Sequence, residues 1–167
     1  MIRRARILLP LIALLPFAAE AADIPHRKPG LWSITMHMGD GKIPPRDSKL
    51  CVDETTDAAY QRYAEGGGQT CSKRDVTRNG NQTLIDSVCT INAHTATGHL
   101  VITWAGDTAY HLDSTSKWSP PLYGKTESHI TQDAKWMGAC PATMKPGDIT
   151  LPGGMTINVT TMDQGTH

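Results

Sequence analysis

Apolar residues recur at every second position over most of this chain, and that period fixes the fold class before any other feature does. Successive side chains of a strand point to opposite faces, so one buried face produces alternation; a helix repeats every three or four residues. Leu31 to Met38 alternates cleanly. Trp32, Ile34, Met36 and Met38 share one face, and Leu31, Ser33, Thr35 and His37 the other. Gly39-Asp40-Gly41 breaks the run. One segment departs from the rule: Ala58, Ala59, Tyr60, Tyr63 and Ala64 follow a helical spacing, with Asp53 placed to cap the first turn and Gly66-Gly67-Gly68 to end it. The expected fold is therefore all-β in a single domain: an antiparallel curled sheet or open, barrel-like meander with one short helix.

Two hairpins can be set in register by pattern. The first runs from Cys71 to about Asn92 and turns at Asn79-Gly80-Asn81. A two-residue Asn-Gly loop puts Cys71 opposite Val88, and only a bulge restores a cysteine pair. A three-residue loop centred on Gly80 puts Cys71 opposite Cys89 and is preferred. The second hairpin spans about Thr97 to Ser116. A loop of Ala105-Gly106-Asp107 sets Trp104 opposite Thr108, Ile102 opposite Tyr110 and Leu100 opposite Leu112, with the large apolar groups on one face. Ser119-Pro120-Pro121 is expected to end that unit, because proline donates no ladder hydrogen bond. A further strand runs from about Leu122 through Ile130. Residues 140–167 read as an appendage with a turn at Met144–Gly147 and two short strands joined by Pro152-Gly153-Gly154.

The ends and the cysteines place the chain. Arg3, Arg4 and Arg6 precede the apolar run Ile7 to Phe17, and Ala19-Glu20-Ala21 forms a small-x-small cleavage site. That is the layout of a secretory signal peptide over residues 1–21, too short to span a bilayer and leaving a mature domain of 22–167 with no transmembrane segment. Loss of Arg3, Arg4, Arg6 and Glu20 from 16 basic and 16 acidic residues leaves 13 and 15, a net charge of −2. Such a chain has no basic surplus with which to neutralise nucleic-acid phosphates. Cys51, Cys71, Cys89 and Cys140 are an even set in an exported chain and read as two disulfides; none is spaced as a zinc ligand pair. The preferred register pairs Cys71 with Cys89 and leaves Cys51 for Cys140. The competing pattern is Cys51–Cys71 with Cys89–Cys140.

These landmarks together resemble a known family. Lys28-Pro29-Gly30-Leu31-Trp32, Cys51, Cys71, Asn79-Gly80, Cys89, Gly106-Asp107 with Tyr110, Trp136-Met137-Gly138-Ala139-Cys140-Pro141 and Lys145-Pro146-Gly147-Asp148 follow one another. Their order and spacing resemble the proteobacterial domain-of-unknown-function family 3617 over about residues 28–160. Members often carry Glu after Pro-Gly-Leu-Trp; this chain has Ser33, so no role of that carboxylate transfers. The resemblance implies a periplasmic envelope protein and no particular activity.

The residues themselves offer three kinds of chemistry. The preferred register sets His99 opposite Asp113 with His111 diagonal to it and His129 on the next strand. Imidazoles and a carboxylate so placed on the polar face suit zinc or copper. Catalysis has little support: no Gly-x-Ser-x-Gly elbow is present, and the cysteines are used in disulfides. The expectation is a monomer that is not an enzyme and needs no cofactor. The remaining class is binding of a small apolar ligand or an envelope protein. Trp32, Met36, Met38, Trp104 and Tyr110 are the candidate lining residues, or else the core itself.

Overall fold

The period-two stripes become strands of one open antiparallel sheet. A computed structural model describes residues 24–39, 41, 43–64 and 70–162. The expected signal peptide, Asp40 and the Gly66–Gly68 run lie outside these residues. In chain order the elements are β1 (Gly30–Met38), β2 (Arg46–Val52), α1 (Glu54–Ala64), β3 (Thr70–Asn79), β4 (Gln82–Ile91), β5 (His94–Ala105), β6 (Ala109–Leu122), β7 (Lys125–Gly138), β8 (Asp148–Thr150), β9 (Thr156–Asn158) and α2 (Val159–Met162). The strands lie in the order β3-β4-β5-β6-β7-β1-β2-β8-β9. A meander of five strands is thus extended by the N-terminal hairpin and then by the C-terminal one.

The inner face carries the core. Trp32 and Leu50 are wholly buried, and Ile34, Ile102, Trp104, Tyr110, Ala134 and Ile149 pack around them with Ala59 and Tyr60 of α1 and Val159 of α2. The tilted rings of Trp32 and Trp104 lie 5.8 and 5.2 Å from that of Tyr110. Each indole is satisfied: Trp32 donates to the Lys28 carbonyl, Trp136 to the Pro29 carbonyl, Trp104 to the buried Thr83 hydroxyl and Trp118 to the Ser128 hydroxyl. Gly30 sits between these donors with φ 134°, and a Cβ there would meet the Gly138 carbonyl oxygen and the Trp136 indole nitrogen. The Pro-Gly-Leu-Trp sequence therefore lets the chain pass close under Trp136 as it enters β1.

α1 begins as expected. Asp53 Oδ1 accepts from the Thr55 and Thr56 amides at 3.0 and 2.8 Å, and Thr56 Oγ1 accepts in return from the Asp53 amide. These reciprocal bonds satisfy donors that the first turn leaves unpaired.

The hairpin registers differ from the sequence reading in instructive ways. The first turn is a two-residue Gly80-Asn81 loop with Asn79 opposite Gln82, not the three-residue loop. Gly80, with φ 60°, takes the first central position, where a type II′ turn requires glycine. A register shift at Ser72 then brings Cys71 opposite Cys89. In the second hairpin the loop is three residues long, but it is Gly106-Asp107-Thr108. Trp104 faces Tyr110, and Ile102 faces Leu112. A two-residue slip preserves every facing, so the apolar stripe fixes parity but not partner. β6 also continues through Pro120 and Pro121, because their ladder positions are vacant. Pairing with β5 ends at Ser119, and pairing with β7 lapses between Lys117 and Leu122.

The C-terminal segment is part of the sheet rather than an appendage to it. Leu50 of β2 pairs with Ile149 of β8, and β9 follows from the Pro152-Gly153-Gly154 turn. Val159 opens α2 and is 1% exposed.

The bridges are Cys71–Cys89 and Cys51–Cys140. Leu31 pairs with Cys51 on one side and Gly138 on the other, so the second bridge clasps the start of β1 between its two neighbours. It joins residues 89 apart, against 18 for the first. Loop-closure entropy assigns about 4.6 and about 3 kcal/mol to loops of these lengths. Cys51→Ala/Cys140→Ala is therefore expected to lower unfolding free energy more than Cys71→Ala/Cys89→Ala. Urea denaturation of the two variants measures the difference.

A second expectation concerns acid. Backbone hydrogen bonds from Thr56 and then the Thr56 hydroxyl hold the Asp53 pKa below the ordinary carboxylate value. The Lys145 amide and Asn158 do the same for Asp148. Depressed folded-state values mean stabilisation that is present above the unfolded pKa of about 3.9 and lost as pH falls through the folded values. The urea midpoint is expected to drop below about pH 4, and Asp53→Asn to blunt that drop.

Candidate functional site

The sheet is longer than the core that covers it. At the β1–β2–β7 end the inner face is packed by α1, α2 and the aromatic cluster. Toward β4–β6 the same face continues past that packing. The cross-strand row Ile85, Leu100, Ser114 and Ile130 runs across β4 to β7, and beyond it lies the row Ser87, Gly98, Ser116 and Ser128. Leu100, Leu112 and Ile130 occupy core parity yet are only half-buried, whereas Ile85 and Ile102 are buried. The space they face is a cavity of about 800 Å³. Its floor is β4–β7. Ala59, Tyr60 and Gln61 of α1 and Val159 and Met162 of α2 form its other side. The volume lies within the usual range for small-molecule sites, roughly 300–1,000 Å³.

Composition changes along the cavity. The part nearest the core is lined by isoleucine and leucine. The far part carries small hydroxyl side chains and Gly98, where an added Cβ would come within 3.0 Å of Ser87 Oγ. Trp118, Ala96 and the Cys71–Cys89 bridge line that end.

One wall is charged. Arg27, 7% exposed, approaches Asp57 of α1, which is 0% exposed. Arg27 Nη1 donates to Asp57 Oδ1 at 2.8 Å, and the Arg27 amide donates to Oδ2 at 3.1 Å. Gln61 donates to the same Oδ2, which also lies 3.3 Å from His26 Nδ1. Arg27 Nη2 donates to the Tyr110 hydroxyl at 3.2 Å, which also accepts from Gln132. The guanidinium carbon lies 4.6 and 5.0 Å from the ring centroids of Tyr60 and Tyr110. Burial works against the charge on Arg27. Tyr110, Tyr60 and the Asp57 carboxylate more than offset it and raise its pKa above the ordinary value. Arg27 Nε is buried with no hydrogen-bond partner among the described residues.

Of the expected lining residues, Met36 alone stands on the cavity wall. Trp32, Trp104 and Tyr110 are buried in the core cluster, and Met38 is half-buried at the end of β1 opposite Ile130. The wall residues missed include Arg27, Leu100, Leu112, Ser114, Trp118 and Ile130. A signal for them existed: serine and glycine at core parity in four adjacent strands mark a face that changes character. Asp57 likewise sits three residues before Tyr60 on the inward stripe of α1, an odd place for a carboxylate that merely complements a helix dipole.

The polar-face histidines do not converge. His99 lies opposite Thr115, not Asp113, because of the two-residue slip. It bonds Asp86 at 2.7 Å, His111 bonds Asp133 at 2.8 Å, and His129 bonds Asp113 at 3.1 Å. Only Asp113 and His129 of the proposed set meet. Among the described residues no group of three or more His, Cys, Asp or Glu side chains could hold a metal ion. A second, outward-facing depression of about 470 Å³ lies over Ala105 and Ala109 beside the His111–Asp133 pair and Lys135.

Arg27→Ala is expected to cost about 3–5 kcal/mol, because it strands a fully buried carboxylate. Replacing both partners by Arg27→Met/Asp57→Leu is expected to recover most of that loss. Chemical denaturation of the three proteins checks both expectations.

No helix among the described residues is long and apolar enough to cross a membrane. No curated protein and no solved structure matches the chain. One family profile does, over residues 27–140, from Arg27 through the second cysteine of the long-range bridge. The chain belongs to that family, described as "Protein of unknown function (DUF3617)".

Proposed function

We propose that this is a periplasmic binding protein, without catalytic activity, that holds a small apolar molecule between its curled sheet and α1. One observation carries the reading. Leu100, Leu112 and Ile130 sit at core positions but remain half-buried around a cavity of about 800 Å³. A face that served packing alone is normally filled, since interiors approach crystal density and voids larger than a few waters are rare. Export is supported by the signal-peptide layout of residues 1–21 and by two disulfides, which persist in oxidising compartments. Restraint of the cavity end by Cys71–Cys89, and of β1 by Cys51–Cys140, suits a preformed site that changes little on binding.

A hydrophobic fluorescent reporter such as N-phenyl-1-naphthylamine tests the reading. The mature protein is expected to enhance its emission saturably at one site per chain. Ser114→Trp, which projects bulk between Leu100 and Ile130, is expected to weaken that binding about tenfold or more while far-UV circular dichroism is unchanged. Trp118 is the tryptophan on the wall, so Trp118→Phe is expected to abolish most of any ligand-induced shift in intrinsic fluorescence. Reporter emission that never saturates, or that is indifferent to Ser114→Trp, overturns the proposal.

A further inference from the structure

The β6–β7 hairpin breaks a rule that the other turns keep. Its turn is Tyr123-Gly124, closed by the Leu122–Lys125 pair, and both central residues have positive φ, 49° and 76°. A two-residue turn of that kind favours Asn-Gly or Asp-Gly, because the left-handed region crowds a bulky side chain. Among the described residues every other positive φ belongs to a glycine or to Asn92 in the neighbouring β4–β5 turn. The strain at Tyr123 returns nothing in packing. The residue is 95% exposed, and its ring and hydroxyl meet no partner among the described residues. A local cost with no compensation inside the fold points to a use outside it.

The tip stands clear of the sheet. β5 leaves β6 after Ser119, and β1 leaves β7 after the Gly39–His129 hydrogen bond, so residues 120–125 project past the last pairing on each side. Pro120, Pro121 and Tyr123 are exposed, and Leu122 is half-buried. Lys117 and Lys125 flank them, opposed within residues 117–127 by Glu127 alone. The β1–β2 loop lies at the same end of the sheet and presents Ile43, 42% exposed, beside the exposed Pro44, Pro45 and Arg46.

Shape and composition select the partner. A projecting tip offers no broad or concave face of the kind that buries roughly 800 Å² against a protein. A bilayer surface asks for no shape complementarity. Its headgroup region takes up amphipathic rings such as tyrosine, and lysines beside them meet anionic headgroups. Proline adds apolar bulk without a backbone donor to desolvate.

We infer that the β6–β7 tip docks this protein on a lipid bilayer bearing anionic headgroups, with Leu122 and Tyr123 in the headgroup region and Lys117 and Lys125 against the lipid charge. Contact of this size is peripheral and reversible. It sets the cavity end lined by Trp118, on the same strand, toward the bilayer. The docking stands whether or not the cavity holds a ligand.

Flotation of the disulfide-bonded protein with lipid vesicles tests this. Binding is expected on vesicles that contain phosphatidylglycerol, is expected to be weaker on phosphatidylcholine alone, and is expected to fall as salt is raised. Tyr123→Asn places in the turn a residue that its backbone favours. It is therefore expected to leave the urea midpoint unchanged or higher while vesicle partitioning falls about fivefold or more, the loss of one half-buried ring. Tyr123→Trp is expected to keep vesicle binding. Lys117→Glu/Lys125→Glu is expected to remove the preference for phosphatidylglycerol. No binding to phosphatidylglycerol vesicles, equal binding by the Tyr123→Asn and parent chains, or a lower urea midpoint for Tyr123→Asn overturns the inference.

Discussion

The Arg27–Asp57 pair joins three parts of the molecule that the sheet alone does not connect. Arg27 belongs to the segment before β1, Asp57 to α1, and Tyr110, which Arg27 also contacts, to the centre of the sheet. Apart from this pair, α1 is held by Ala59 and Tyr60 in the core cluster and by its packing against α2. A buried ion pair adds little net stability over a well-packed apolar pair, because both charges lose their water. What it supplies is position: a carboxylate held by Arg27 twice, by Gln61 and by His26 has one place to be. The roof of the cavity is set by that placement, and so is the cavity's depth.

The fold was legible because alternation is a strong signal. β1 reads correctly residue by residue, as do the helix cap and the cysteine pairing. The second hairpin slipped by two residues, which alternation cannot detect, and the first by one, along an exposed edge strand where alternation is weak. Moving Trp104 from Thr108 to Tyr110 changes no facing. Gly80 serves equally well as the second residue of an Asn-Gly turn or the first of a Gly-Asn turn; the extra residue at Ser72 then restores the cysteine pair. The cavity was not legible for a related reason. Leu100 and Leu112 show the same pattern whether something covers them or not, and coverage depends on where a helix forty residues away comes to rest. The large aromatics drew attention instead, and they went where large aromatics usually go, into the core.

The outer face shows the opposite economy. His99, His111 and His129 each find a carboxylate on a neighbouring strand, and the pairs stay separate because each aspartate lies on a different rung. The free edge is similarly plain. β3 is ten residues long and almost wholly exposed, a length that invites pairing with another chain. Lys73, Arg74, Asp75 and Arg78 and the irregularity at Ser72 work against it. The other edge, β9, has three residues and runs directly into α2.

The first strand of the domain is an interior strand of its sheet. β1 needs β2, which follows at once, and β7, whose partner residues are 130–138. A chain synthesised N-terminus first must therefore hold one side of its own central strand open until nearly all the sheet has been made. The meander β3–β7 can assemble from neighbours; its join to β1 cannot. Cys51 likewise waits for Cys140. Seen in time rather than in space, the long bridge records progress along the chain: it can form only once residue 140 has been made and β7 has closed on β1.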